Sequence, residues 1–126
     1  MDRAAVLAGI DFFKHCTPRQ IDDIAKLVRE RELEPGDILC RQGEHSTDAF
    51  VLVDGEAAVI IDGNQVAVVG KGEVVGELSI EHGGLRTATL RAITPLHVLV
   101  VDPREIESVL LSDPGSAKDL GPRHPG

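Results

Sequence analysis

AFVLVDGEAAVIIDGNQVAVV, residues 49–69, is the stretch on which the fold turns. Three apolar, β-branched runs, Ala49–Val53, Ala57–Ile61 and Gln65–Val69, are parted by Asp54-Gly55 and by Asp62-Gly63-Asn64. Val and Ile suit a pleated, half-buried surface. Asp62-Gly63-Asn64 between two such runs is the signal of a tight hairpin, and Val53-Asp54-Gly55 marks a corner. The same texture extends outward from Glu34 to Asp102. Nine of the 13 glycines fall between Gly36 and Gly84, and Pro35-Gly36-Asp37 marks another corner. Further short runs cover Asp37–Arg41, Thr87–Ala92 and His97–Val101. Short strands at intervals of about 8–12 residues, with turn signals between them, predict a sandwich or barrel.

Both flanks read as helical. Residues 1–34 contain Thr17-Pro18-x-Gln20, a hydroxyl cap with Pro at the first helical position and Gln at the third. Ile21, Ile24, Ala25 and Val28 follow at helical spacing. Arg29-Glu30-Arg31-Glu32 reads as an alternating, exposed segment. Asp102-Pro103-x-Glu105 restarts a helix, with Ile106, Val109 and Leu110 on one face. Asp113-Pro114-Gly115 then breaks it, and Ser116–Leu120 has room for one more turn. The expected organisation is one domain over residues 1–112, with helices over 3–30, a β body over 31–101 and a helix over 103–111. Residues 113–126 form a short tail or a truncated lid.

The chain has 126 residues and a formal net charge of -8, with 42% hydrophobic and 27% charged residues. That balance describes an ordinary globular domain. It excludes a nucleic-acid surface, which needs a net basic face. Three Phe and no Trp or Tyr offer no stacking platform. No apolar run approaches the ~18 residues of a membrane span, and MDRAAVLAGIDFF does not read as a secretory signal. Cys16 and Cys40 lack C-x-x-C spacing and read as free thiols of a reducing cytoplasm. His15, His45, His82, His97 and His124 show no ligand spacing, so no metal is expected. No nucleophile elbow or P-loop appears, so the chain is not expected to be an enzyme.

Chemistry concentrates in GELSIEHGGLRTA, residues 76–88. Gly72 and Gly76 permit left-handed backbone, and Leu78, Ser79 and Ile80 suit a single helical turn. A turn that starts after glycine offers free N–H groups to an anion. Arg86, read as opening the next strand, can meet the same anion with a bidentate fork. Glu77 would repel that anion unless it faces another part of the ligand, such as a sugar hydroxyl. The combination suits a small phosphorylated sugar. Taken alone, Glu77 and Arg86 also fit a solvated ion pair of little energetic weight.

Gly72-x-x-x-Gly76-Glu77-Leu78-Ser79, followed by Arg86-Thr87-Ala88, resembles the phosphate-binding cassette of cyclic nucleotide-binding domains. LAGIDFFKHCTPRQIDDIAKLV is similar to the family's leading helices, LEPGDILCRQGEHSTDAFVLVDGEAAV to its first strands, and VLVVDPREIESVL to its last strand and following helix. The likeness covers about residues 7–111. Val75 stands where Phe is common, and Leu85 where Pro is usual.

This resemblance implies a mainly β fold with flanking helices: a β-roll, or jelly roll, with N-terminal helices and a short C-terminal helix. It implies a regulatory sensor module that takes cAMP, or alternatively cGMP, as ligand and needs no other cofactor. Glu77 would accept from the ribose 2′-hydroxyl and Arg86 would pair with the cyclic phosphate. Backbone N–H groups around Gly76, Leu78, Ser79 and Ala88 would complete the pocket, and a hydroxyl at Thr87 can touch the phosphate and in some members favours guanine. Movement of the C-terminal helix would reach a protein effector or a missing effector domain, and a homodimer stays open. The alternative is a degenerate β-roll that binds no ligand and serves as an interaction or dimerisation domain.

Overall fold

The computed structural model describes residues 2–76 and 84–112. The chain divides into two units, Val28–Asp102 and a second formed by Met1–Leu27 with Pro103–Gly126.

The helical unit contains α1 (Arg3–Ala8), a 3-10 turn (Asp11–Phe13), α2 (Pro18–Leu27) and α3 (Pro103–Ser112). Asp2 caps α1 by accepting from the Ala5 amide at 3.2 Å. Thr17 and Gln20 form a reciprocal capping box at the start of α2. The Gln20 amide donates to Thr17 Oγ1 at 3.1 Å, and the Thr17 amide donates to Gln20 Oε1 at 2.8 Å. Two donors that no helical carbonyl can reach are thereby satisfied. Helix α3 lies against α2. Leu7, Phe13, Ile21 and Ile24 are buried, which follows from the helical spacing of the α2 pair.

The β unit is built from β1 (Arg29–Leu33), β2 (Ile38–Cys40), β3 (Ala49–Asp54), β4 (Glu56–Ile61), β5 (Asn64–Gly70), β6 (Val74–Val75), β7 (Thr89–Ala92) and β8 (Leu96–Val101). They form two four-stranded antiparallel sheets, β1-β8-β3-β6 and β2-β7-β4-β5. One core cluster takes Phe50, Leu52, Val98 and Val100 from the first sheet and Leu39, Ala57, Leu90 and Ala92 from the second. Inward side chains from both sheets thus interdigitate, as in a sandwich. The architecture is a mainly β roll with flanking helices, in agreement with the expected fold class. Asp62 (φ 52°) and Gly63 (φ 81°) make the two-residue β4–β5 turn in which Ile61 faces Asn64. Gly55 is held at φ 91°, and a Cβ there would lie 2.1 Å from the Pro95 carbonyl oxygen, so this corner admits no side chain.

Three expectations are corrected. Helix does not run to residue 30, because α2 ends at Leu27 and Arg29–Leu33 is a strand. Its four leading side chains are exposed, but its backbone pairs with β8 from Arg29↔Val100 to Leu33↔Leu96. The missing partner groups of an edge strand, not apolar side chains, decide this element, and its charges suit an edge. The β body accordingly begins at residue 29 and not at 31. Arg86 does not open a strand: β7 starts three residues later, at Thr89. The remaining β runs lie within one or two residues of their expected limits. The break at Asp113-Pro114-Gly115 and the tail at 113–126 lie outside the described residues.

Candidate functional site: a buried guanidinium between two sheets

Gly76 directly follows β6, and Arg86 lies between an isolated bridge, His45↔Leu85, and the start of β7. The segment at 84–86 is tied to the loop after β2. The Gly43 amide donates to the Arg86 carbonyl at 2.9 Å, the Arg86 amide to the Glu44 carbonyl at 2.8 Å, and the Ser46 amide to the Gly84 carbonyl at 2.6 Å. This backbone ladder positions Arg86 without regular strand structure.

The Arg86 side chain turns inward and the residue is only 3% exposed. Its Nη1 donates to the Gly76 carbonyl at 3.2 Å and its Nη2 to Ser46 Oγ at 3.2 Å. The guanidinium lies 5.0 Å from the centroid of the Phe50 ring, within cation–π range. Gly76 sits at φ 89°, and a Cβ there would come within 2.7 Å of Arg86 Nη1 and 3.1 Å of the Asp48 carbonyl oxygen. The bare backbone of Gly76 is therefore what lets the guanidinium approach so closely. A buried cation needs partners to offset its lost hydration. Among the described residues the Gly76 carbonyl, the Ser46 hydroxyl and the Phe50 ring contribute to that.

Arg86 lines at least two cavities bounded by the described residues. One, of about 200 Å³ as bounded by the described residues, is walled by Val59, Ile61, Val74 and Leu90, with Gly76, Thr87 and Ala88 at the Arg86 end. The other, of about 480 Å³, is polar and includes Arg29, Arg31, Glu44, Ser46 and Asp48. Size favours the second, but its charges are already engaged: Arg29 pairs with Asp48 at 3.4 Å, and Arg31 donates to the Leu39 carbonyl at 3.4 Å. The smaller cavity joins apolar walls to a cation, a hydroxyl and glycine backbone. That is the chemistry needed to hold a molecule with an apolar ring at one end and an anion at the other.

Of the sequence-predicted residues, Gly76, Arg86, Thr87 and Ala88 come together at this cavity. Glu77, Leu78 and Ser79 lie outside the described residues. Ser46 and Phe50 are not predicted by the sequence reading, because they sit 40 and 36 residues before Arg86 and belong to no local motif. Cys40 also lines both cavities. Burial pushes its thiol up, while the charge of nearby Arg86 pulls the other way. Among the described residues no group of three or more His, Cys, Asp or Glu side chains could hold a metal ion. Among them, too, no helix is long and apolar enough to cross a membrane. Cys16 and Cys40 are free thiols.

Comparison with known proteins agrees with this geometry. The chain is 30% identical over 122 residues to cyclic nucleotide-gated channel beta-3 of Canis lupus familiaris, an overlap covering 92% of this chain and 16% of the channel. It is 30% identical over 112 residues to acetyltransferase Pat of Mycolicibacterium smegmatis, covering 86% of this chain and 34% of that protein. The chain thus spans about a third or less of these relatives. In fold it is similar to cAMP-bound PfPKA-R, with a TM-score of 0.78 and 23% identity over 93% of this chain and 40% of that one. Residues 30–113 match the cyclic nucleotide-binding domain. That span contains nearly all of both sheets, the ladder that seats Arg86 and the cavity it lines. The chain therefore belongs to the cyclic nucleotide-binding domain family.

Proposed function

We propose that the chain is a regulatory module that captures a cyclic nucleotide, cAMP in preference to cGMP, and passes the event to an effector. The observation that carries this reading is Arg86, only 3% exposed, with its guanidinium at one end of a cavity whose described walls are mostly apolar. In this reading Arg86 pairs with the cyclic phosphate, whose single negative charge matches one guanidinium. Backbone amides at Gly76, Leu78, Ser79 and Ala88 complete the anion pocket, and Glu77 accepts from the ribose 2′-hydroxyl. The purine lies among Val59, Ile61, Val74 and Leu90. Thr87 supplies a hydroxyl on the phosphate side. The apolar described walls favour adenine, whose single exocyclic amino group costs less to desolvate than the carbonyl, ring N–H and amino group of guanine.

Capture does work only if the two arrangements of the domain differ in affinity for the ligand. We assign that difference to an inward pull of the cassette by the captured phosphate and to movement of α3. The relatives are named as channels and an acetyltransferase, so the effector would be a separate domain or protein. Calorimetric titration with cAMP and cGMP tests the reading. Saturable heat with tighter cAMP binding is expected, and no heat from either nucleotide at millimolar concentration would refute it. The alternative, a roll that serves only as an interaction or dimerisation domain, draws on Val66 and Val68, which are exposed on the edge strand β5. It predicts self-association and no heat in the same titration.

A further inference from the structure

We infer that Ser46 is a positioning residue of the anion site, whose hydroxyl sets the orientation in which Arg86 meets the ligand. The inference rests on the reading of Arg86 as the phosphate-binding group. Ser46 Oγ accepts from Arg86 Nη2 at 3.2 Å and from the Asp48 amide at 3.2 Å. Both lone pairs of the hydroxyl are thereby engaged, so the oxygen is held in one place. The residue's own backbone is fixed as well, through the Ser46 amide to the Gly84 carbonyl at 2.6 Å. That bond belongs to the same ladder that seats the Arg86 backbone on Glu44 and Gly43. Hydroxyl and guanidinium therefore hang on one rigid frame, although 40 residues separate them.

The mechanical consequence follows from the shape of the group. A guanidinium is a flat fork with five donors, and its use as an anion clamp depends on where the plane points. The Gly76 carbonyl engages Nη1 and the Phe50 ring covers one face. The Ser46 hydroxyl on Nη2 adds a second fixed point in the plane of the fork and so resists tilting about the Nη1 bond. A clamp held in its binding orientation before the ligand arrives loses less freedom on binding. In this reading a fixed plane also meets the two inequivalent exocyclic oxygens of a cyclic phosphate differently.

The test compares the full chain with Ser46→Ala and Ser46→Thr, by calorimetric titration with cAMP and with its Sp and Rp phosphorothioates. These analogues carry sulfur at one or the other exocyclic position. The wild type is expected to separate the two analogues. Ser46→Ala should weaken cAMP binding roughly tenfold, the low end for a charge-assisted hydrogen bond of this length, and should narrow the Sp-to-Rp ratio. Ser46→Thr should restore both. Unchanged affinity in Ser46→Ala overturns the inference. So does an equal loss for both analogues with the ratio preserved, which marks general damage to the loop. A wild type that binds cAMP beside an unchanged Ser46→Ala defeats the role of Ser46 alone. A wild type that binds neither cyclic nucleotide removes the proposed function, and this inference with it.

Discussion

Replacing Arg86 by Ala separates what this side chain does for the fold from what it does for a ligand. In the free protein two effects oppose each other. The substitution leaves the Gly76 carbonyl and the Ser46 hydroxyl without the guanidinium donors, at a cost of about 1–3 kcal/mol each when buried. It also removes a cation from a site where only 3% of the residue is exposed, and relief of that desolvation works in the opposite direction. The net loss of stability without ligand should therefore be modest, about 1–2 kcal/mol. With ligand nothing offsets the loss, because a buried phosphate would face no cation, and about 3 kcal/mol of affinity should disappear. That corresponds to roughly 150-fold in Kd. At a cAMP concentration of about 1,000 times the wild-type Kd, ligand stabilises the wild type by ~4.1 kcal/mol. The variant, then only about sixfold above its own Kd, would gain ~1.2 kcal/mol. Scanning calorimetry with and without cAMP reads this directly, and suits a chain with no Trp to report by fluorescence. Equal ligand-induced shifts in the two proteins would refute the assignment of Arg86 to the phosphate.

Two further expectations concern the fold and its thiols. Gly55→Ala would place a Cβ 2.1 Å from the Pro95 carbonyl oxygen at a backbone φ of 91°. The urea midpoint should fall by the equivalent of about 3 kcal/mol or more, and a wild-type midpoint would disprove the close approach at that corner. Burial pushes the Cys16 and Cys40 thiols up, so the folded chain keeps protons that the unfolded chain releases. The associated stability is complete below the unfolded thiol value of about 8.5 and declines as pH rises through it toward the higher folded values. Urea midpoints measured from about pH 7 to pH 10 should fall on the alkaline side. The slope should flatten in a Cys16→Ala/Cys40→Ala variant, and an unaltered slope there would assign the effect to other groups.

Features encoded by neighbouring residues are legible along the chain itself. The Asp62-Gly63 turn has the chemistry its positive φ angles demand. Thr17-Pro18-x-Gln20 caps α2 with its own side chains. The apolar runs at 49–69 form β3, β4 and β5. The spacing of Gly76 and Arg86 suits a cavity that both of them line. The turn, the cap and the strands are each decided within a few residues, where φ preference, side-chain hydrogen bonding and periodicity act without reference to the rest of the chain.

Other features have no local cause. Arg29–Leu33 is a strand because the β8 edge offers its backbone a partner, and four charged side chains in a row give no sign of that. Two-residue β6 exists only through its pairing with Phe50 and Val51. Above all, the sequence shows an arginine at the right spacing but not that it is buried, nor that Gly76, Ser46 and Phe50 receive it. Those contacts form only after the two sheets close on each other. Composition, hairpins and caps are thus determined by the sequence read along its length, and the orientation of the guanidinium is decided by tertiary structure. The physical reason is that a hydrogen bond across 40 residues depends on the closed geometry of the whole roll, while a turn depends only on the residues that make it.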